Sequence, residues 1–230
     1  MTPATTAQVD PSDLTRRARL SSDESQQAFR ALLDALARPG RVVALPTSLT
    51  DRMPPAIVPA AALADVEVAV AVLSGPDDSW ADAVLHATGA RATPPALAQM
   101  VVCRRAPAPA ELAVLERGDA ASPERGTRVS IACRSLRAPE GGRAAGSGLA
   151  LTLRGPGVEG TAHVVVDGLH PDVLQALVDA NRSFPAGIDT WLVADDGSVV
   201  GLPRSTSVTT RPEHDLDAAP HPNRDHQGAR

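Results

Sequence analysis

Ile188-Asp189-Thr190-Trp191-Leu192-Val193-Ala194, then Asp195-Asp196-Gly197, then Ser198-Val199-Val200-Gly201-Leu202 reads as two short apolar strands joined by a tight turn. Asp-Gly supplies the positive φ that such a hairpin needs, and the flanking β-branched residues favour extended chain. The clearest helix lies at the other end of the chain. Ser21 and Glu24 have capping-box spacing, Phe29, Leu32, Leu33 and Leu36 recur at helical intervals, and Arg38-Pro39-Gly40 stops the ladder. Between them, strand-like runs (41–45, 66–73, 98–103, 127–134, 149–153, 161–166) alternate with helical ones (55–64, 79–88, 109–116, 172–181). Such intermixing, with one late hairpin, predicts an α/β fold: a layered α/β/α sandwich with a mixed sheet.

The ends differ from this middle. Residues 1–20 are polar and rich in Thr and Ala and are expected to form a flexible arm, and residues 209–230 a disordered, proline-bearing tail. That leaves 21–208 as one domain. A Gly/Ala/Arg stretch at 138–148 is expected to be a flexible turn.

Composition narrows the chemistry. The 230 residues carry 22 basic side chains, all arginine, with no lysine and no tyrosine. A pyridoxal-phosphate enzyme needs a lysine for its Schiff base and a Walker-A site needs one beside its Ser/Thr, so neither can be built here. Aromatic residues are 2% and the net charge is -5, which disfavours nucleic-acid binding. The 21 prolines and 17 glycines fit many short loops better than a bundle. Cys103 and Cys133, the two cysteines, lie in strand-like runs and are expected as buried, inert thiols. The most apolar stretch, 57–73, is broken by Pro59, Asp65 and Glu67, and the first 20 residues lack a signal-peptide core. A cytoplasmic protein without a membrane segment is the expectation.

Three segments invite a functional reading. Arg154-Gly155-Pro156-Gly157 closes a strand: Gly155 and Gly157 can aim backbone N–H groups at an anion beside the Arg154 guanidinium, or simply make an ordinary turn. Arg204-Ser205-Thr206 offers a guanidinium and two hydroxyls in three residues, either a phosphate grip or a solvated strand end. Asn181 to Asp189 contains an Asp at a strand start, which reads as an acceptor of backbone hydrogen bonds or as a general base with no histidine nearby. His86, His163, His170, His214, His221 and His226 lack metal-ligand spacing, so no metal site is expected. There is no G-x-S-x-G elbow and no G-x-G-x-x-G fingerprint.

Four segments in order resemble the PhnH subunit of bacterial carbon–phosphorus lyase. They are Phe29-Arg30-Ala31-Leu32-Leu33 running to Pro39-Gly40, Leu151-Thr152-Leu153-Arg154-Gly155-Pro156-Gly157, Asn181 with Phe184-Pro185-Ala186-Gly187-Ile188-Asp189, and Leu202-Pro203-Arg204-Ser205-Thr206. His86-Ala87-Thr88-Gly89-Ala90 and Ala121-Ser122-Pro123-Glu124 match more weakly. Ala186 and Ser205 stand where the family has leucine and threonine, and Leu36 where methionine is common.

The resemblance implies a fold like that of pyridoxal-phosphate-dependent transferases, without the cofactor, in a homodimer. It also implies an assembly with PhnG, PhnI and PhnJ subunits that replaces the adenine of ATP with an alkylphosphonate, giving ribose 1-methylphosphonate 5-triphosphate from methylphosphonate. PhnI is the subunit expected to carry the nucleosidase step, so this chain is expected to be a non-catalytic, accessory partner with no cofactor. A nucleotide or phosphonate ligand is the further expectation. The alternative is a free-standing α/β enzyme or binding protein for a phosphorylated small molecule, using Arg154, the Gly-Pro-Gly turn and Arg204. A purely structural dimer is the third reading.

Overall fold

The computed structural model describes residues 11–76, 78–138 and 148–212. The chain opens with helices α1 (Pro11–Ala18) and α2 (Ser22–Ala37), a two-residue strand β1 (Val43–Ala44), and short helices α3 (Thr47–Thr50) and α4 (Val58–Leu63). An alternating middle follows: β2 (Ala69–Leu73), α5 (Trp80–Thr88), β3 (Arg91–Ala92), β4 (Met100–Cys103), α6 (Pro109–Ala113) and β5 (Arg128–Cys133). The last third is mostly strand: β6 (Ser135–Arg137), β7 (Leu149–Arg154), β8 (Ala162–Asp167), α7 (Pro171–Ala180), β9 (Asp189–Ala194), β10 (Ser198–Leu202) and β11 (Ser207–Pro212).

Seven strands form one mixed sheet in the order β1-β10-β9-β5-β4-β2-β3. From β9 to β3 the neighbours are parallel, whereas β10 and β1 pair antiparallel at the other edge. The period-2 alternation of side chains sends opposite residues to opposite cores. Val70, Met100, Val102, Trp191, Val193 and Val199 face α2, α4 and α5. Val101, Cys103, Val129, Ile131, Leu192 and Val200 face the other way, onto α6, α7 and a second sheet. The hairpin has the expected turn: Gly197 sits at φ +84°, and the Ser198 N–H donates to the Asp196 carboxylate at 2.8 Å.

Helix α2 is capped as its sequence predicts. The Ser21 hydroxyl accepts from the Glu24 N–H at 3.3 Å, and the Glu24 carboxylate accepts from the Ser21 N–H at 2.8 Å. It buries Ala28, Leu32 and Ala35, and the Trp191 indole donates to the Leu32 carbonyl at 3.0 Å. Its apolar stripe is wider than the sheet can cover, so Phe29 and Leu33 remain 47% and 53% exposed.

The α/β/α sandwich needs correction. The third layer is largely a four-stranded antiparallel sheet, β11-β7-β8-β6, accompanied by α6 and α7. The chain changes sheets at Arg134, between β5 and β6, where the Arg134 N–H donates to the Asp167 carbonyl at 2.8 Å. A local pattern of strand residues does not say which sheet a strand joins. Both domain boundaries move outward as well. Residues 11–18 of the expected arm are helical: Leu14 and Ala18 are buried, and the Arg17 guanidinium lies 5.5 Å from the Trp80 ring centroid. At the other end β11 carries the fold to Pro212, in register with β7 from Ser207↔Arg154 to Pro212↔Leu149. Nearly all of the expected 138–148 turn (139–147), and the ends 1–10 and 213–230, lie outside the described residues. Among the described residues no helix is long and apolar enough to cross a membrane.

Candidate functional site

Four stretches far apart in sequence meet where β7, β10, β11 and the end of α2 come together. Asn181 closes α7, and its Oδ1 accepts from the Ile188 N–H at 2.7 Å, drawing the cis Phe184–Pro185 segment into a compact loop. Gly187 admits a close neighbour: a Cβ there would lie 2.5 Å from Asn181 Oδ1 and 2.9 Å from Arg204 Cβ. One residue beyond Ile188, the Asp189 carboxylate accepts from Arg204 Nη2 at 2.7 Å, from Nε at 3.2 Å and from the Arg204 backbone N–H at 2.9 Å. Arg204 Nη1 donates to the Pro123 carbonyl. Asp189 is therefore the structural acceptor that its position at a strand start suggested.

The Gly-Pro-Gly turn packs into the same corner. A Cβ on Gly155 would meet the Ser205 carbonyl oxygen at 2.8 Å. Gly157, at φ +79°, lies against the Ala37 carbonyl and would bring a Cβ to 3.2 Å from Pro39. Close approach of backbone to backbone accounts for both glycines. Arg154 is exposed at the end of β7, where its Nε donates to Thr161 Oγ1 at 3.1 Å.

The six expected anion contacts thus separate. Arg154 is presented to solvent. Gly155 and Gly157 serve packing. The Arg204 guanidinium is only 13% exposed and its charge is matched by Asp189. Ser205 touches the Gly155 turn through its carbonyl. Thr206 is buried, and its hydroxyl has no partner.

That last observation leads to a feature the sequence reading missed. A cavity of about 280 Å³ lies between α7 and the β10–β11 connection. Leu174, Leu177 and Leu202 supply apolar wall, and Thr190 and Thr206 line it too. Both threonines are buried, at 1% and 6% exposure, and both hydroxyls lack any partner. Thr190 sits on β9 among apolar residues, so nothing in its local sequence marked it out. The nearby Arg182 is paired with Asp179 at 2.6 Å.

Other chemistry is scarce among the described residues. Burial pushes the Cys103 and Cys133 thiols up to about 12, far from thiolate reactivity. His86 Nδ1 lies 2.7 Å from the Asp82 carbonyl, His163 Nδ1 lies 3.2 Å from Thr152 Oγ1, and His170 caps α7 by accepting from the Asp172 N–H. All three contacts are with residues near in sequence or on the paired strand. No three His, Cys, Asp or Glu side chains of the described residues gather as a metal site. On the opposite face of the sheet, Phe29, Leu33, Leu36, Leu63 and Val68 line an apolar groove of about 350 Å³, with Arg128 beside them.

The family model for PhnH, described as a bacterial phosphonate metabolism protein, matches residues 19–209. The chain belongs to the PhnH family. It is 31% identical over 202 residues to the PhnH subunit of alpha-D-ribose 1-methylphosphonate 5-triphosphate synthase from Rhizobium meliloti (strain 1021), covering 80% of this chain and 90% of that protein. It is 30% identical over 192 residues to the putative C-P lyase subunit protein HtxG of Stutzerimonas stutzeri, covering 82% and 88%. The PhnH-like segments noted in the sequence are the ones that meet in the Arg204 corner: Pro39 with Gly157, Gly155 with Ser205, Gly187 and Asp189 with Arg204. The weaker Ser122-Pro123 segment joins them through the Arg204–Pro123 bond. These PhnH-like segments therefore meet where the fold closes.

Proposed function

We propose that this chain is an accessory, non-catalytic subunit of a carbon–phosphorus lyase core assembly for alkylphosphonate breakdown. In this reading it acts with PhnG, PhnI and PhnJ subunits in forming ribose 1-methylphosphonate 5-triphosphate from ATP and methylphosphonate. It works in the cytoplasm as a homodimer, on a scaffold of the pyridoxal-phosphate transferase type that has no cofactor lysine. The observation that carries this reading is the exposed apolar groove of α2, with Phe29 and Leu33 at its rim. Contiguous apolar surface of that kind suits burial against another subunit better than exposure to water. The charged groups best placed for chemistry, Asp189 and Arg204, neutralise each other inside the fold.

Mass photometry tests the reading. The chain mixed with PhnG, PhnI and PhnJ from one organism should give a species heavier than any subset lacking it. Phe29→Asp with Leu33→Asp should abolish that species while leaving the melting temperature of the isolated chain nearly unchanged. Failure of the unaltered chain to join would end the reading.

Arg154 supports a second reading, as a contact for a phosphate or phosphonate group, because it is the one of the two expected guanidinium contacts that faces solvent. Calorimetry with ATP and with methylphosphonate tests it. Heat that disappears on Arg154→Ala supports the contact, and no heat from either ligand rejects it.

A further inference from the structure

The apolar groove of α2 carries a single charged side chain, Arg128. Phe29, Leu33 and Leu36 recur at i, i+4 and i+7 along α2 and line it from the helix. Leu63 and Val68 line it from α4 and the approach to β2, and the buried Met100 and Trp191 complete it. Val66 and Leu97, 73% and 70% exposed, precede β2 and β4, so more apolar surface lies at this end of the sheet. At about 350 Å³ the groove has room for large side chains of a partner.

Arg128 opens β5 beside this lining. It is exposed, and its side chain makes no hydrogen bond or ion pair with any described residue. Other arginines differ: Arg38 and Arg41 share Asp34, Arg52 holds Glu24, and Arg105 holds Glu111. The carboxylate in register with Arg128 on β9 is Asp189, and Arg204 has taken it. An arginine at an apolar rim can lay its stem along that surface and keep its guanidinium in water. There it can meet an incoming carboxylate without breaking any bond in this chain.

A second copy of this chain does not supply that carboxylate. An isologous contact sets the same patch against itself. Among the described residues the groove lining holds no Asp or Glu, and Asp34, beside Leu33 on α2, is held by Arg38 and Arg41. Groove against groove would bring two Arg128 cations into one interface with no matching anion.

We propose that the groove receives an acidic amphipathic segment of a different subunit. Its large apolar side chains enter beside Phe29, Leu33 and Leu36, and an aspartate or glutamate next to them pairs with Arg128. The proposal rests on the assembly role above and adds the chemistry of the partner to it.

The test measures binding of the full-length chain to the PhnG, PhnI and PhnJ counterparts of one organism by biolayer interferometry. Arg128→Gln should weaken binding about three- to tenfold, and Arg128→Glu more, since like charges then meet. Arg128→Lys should bind close to the unaltered chain. Arg134→Glu, an equal charge change on an exposed side chain just past the other end of β5, is the control and should bind normally. Added salt should weaken the unaltered chain and shrink its advantage over Arg128→Gln. All four variants alter exposed side chains, so their melting temperatures should match that of the unaltered chain.

An unaltered chain that fails to bind ends the assembly role and this proposal with it. Normal binding by Arg128→Glu overturns this proposal alone and leaves the assembly role standing. Equal weakening by Arg134→Glu also overturns it, because net charge alone would then be at work. Sedimentation of the isolated chain supplies the last contradiction. If Phe29→Asp with Leu33→Asp splits a dimer of the isolated chain, a second copy fills the groove and the proposal fails.

Discussion

Asp189 and Arg204, fifteen residues apart at opposite ends of a hairpin, are joined by side-chain bonds of 2.7 and 3.2 Å and a backbone bond of 2.9 Å. Through the Pro123 carbonyl the same guanidinium ties this hairpin to the loop before β5. Removing one partner leaves the other's charge partly buried and uncompensated. Arg204→Ala is therefore expected to cost about 3 kcal/mol. That corresponds to a fall of about 6–12 °C in melting temperature for a chain of this size. Arg204→Lys should recover little, because one ammonium cannot bridge both carboxylate oxygens and also reach Pro123. Melting curves of the three proteins check this, and a loss within error for Arg204→Ala would contradict it.

Gly201 marks where α2 lies on β10. A Cβ there would approach the Ala35 carbonyl carbon and oxygen to 2.5 Å and the Leu36 nitrogen to 2.6 Å, all backbone atoms of a packed helix. Gly201→Ala is expected to destabilise by about 2–3 kcal/mol, since the helix must lift off the sheet. Gly75→Ala, where a Cβ meets nothing within 4 Å, is the control and should be close to neutral. Urea denaturation of both variants measures the contrast.

Much of this fold is written in short-range patterns. The Ser21/Glu24 capping box, the Asp196-Gly197 turn and the apolar face of α7 are all properties of neighbouring residues, and each appears where its pattern placed it. The split into two sheets is different in kind. It depends on strand pairings more than 50 positions apart, such as Ser207 with Arg154 at 53 and Thr190 with Val129 at 61, and β6 follows β5 with only Arg134 between them. The same limit applies to the site. Arg204 looked available because its partner Asp189 lies beyond local reading. Thr190 looked like one more strand residue because its unpartnered hydroxyl exists only once α7 and β11 are folded around it.

The two thiols give a simple solution test. Burial, with smaller contributions from nearby carboxylates such as Glu111 for Cys103 and Asp195 for Cys133, holds both at about 12. At pH 8 each is therefore fully protonated and out of reach. A disulfide-exchange reagent should leave the native protein unlabelled and modify both thiols in denaturant. Rapid labelling of the native chain would contradict the burial.

Acid should act through Glu111. Its carboxylate accepts from Arg105 at 2.6 and 2.8 Å and from the Ala108 N–H at 2.7 Å, and the Arg105 guanidinium foremost lowers it from 4.5 to about 2. Because the folded value lies below the unfolded one, the stabilisation is complete above pH 4.5 and fades as pH falls toward 2. The pair is surface-exposed, so its worth is about 0.5–1 kcal/mol. Melting temperatures of the native chain and Glu111→Gln should differ by a constant small amount above pH 5 and converge near pH 2. A gap that widens in acid would reverse the sign of this account.

The central claim, that this PhnH-family chain is a required but non-catalytic member of its assembly, meets its most direct test in a product assay. ATP and methylphosphonate are incubated with the PhnG, PhnI and PhnJ counterparts, with and without this chain, and ribose 1-methylphosphonate 5-triphosphate is followed by phosphorus NMR. The account predicts product in the complete mixture, little or none when this chain is omitted, and none from this chain alone. Product formed equally well without it, or by it unaided, would contradict the account.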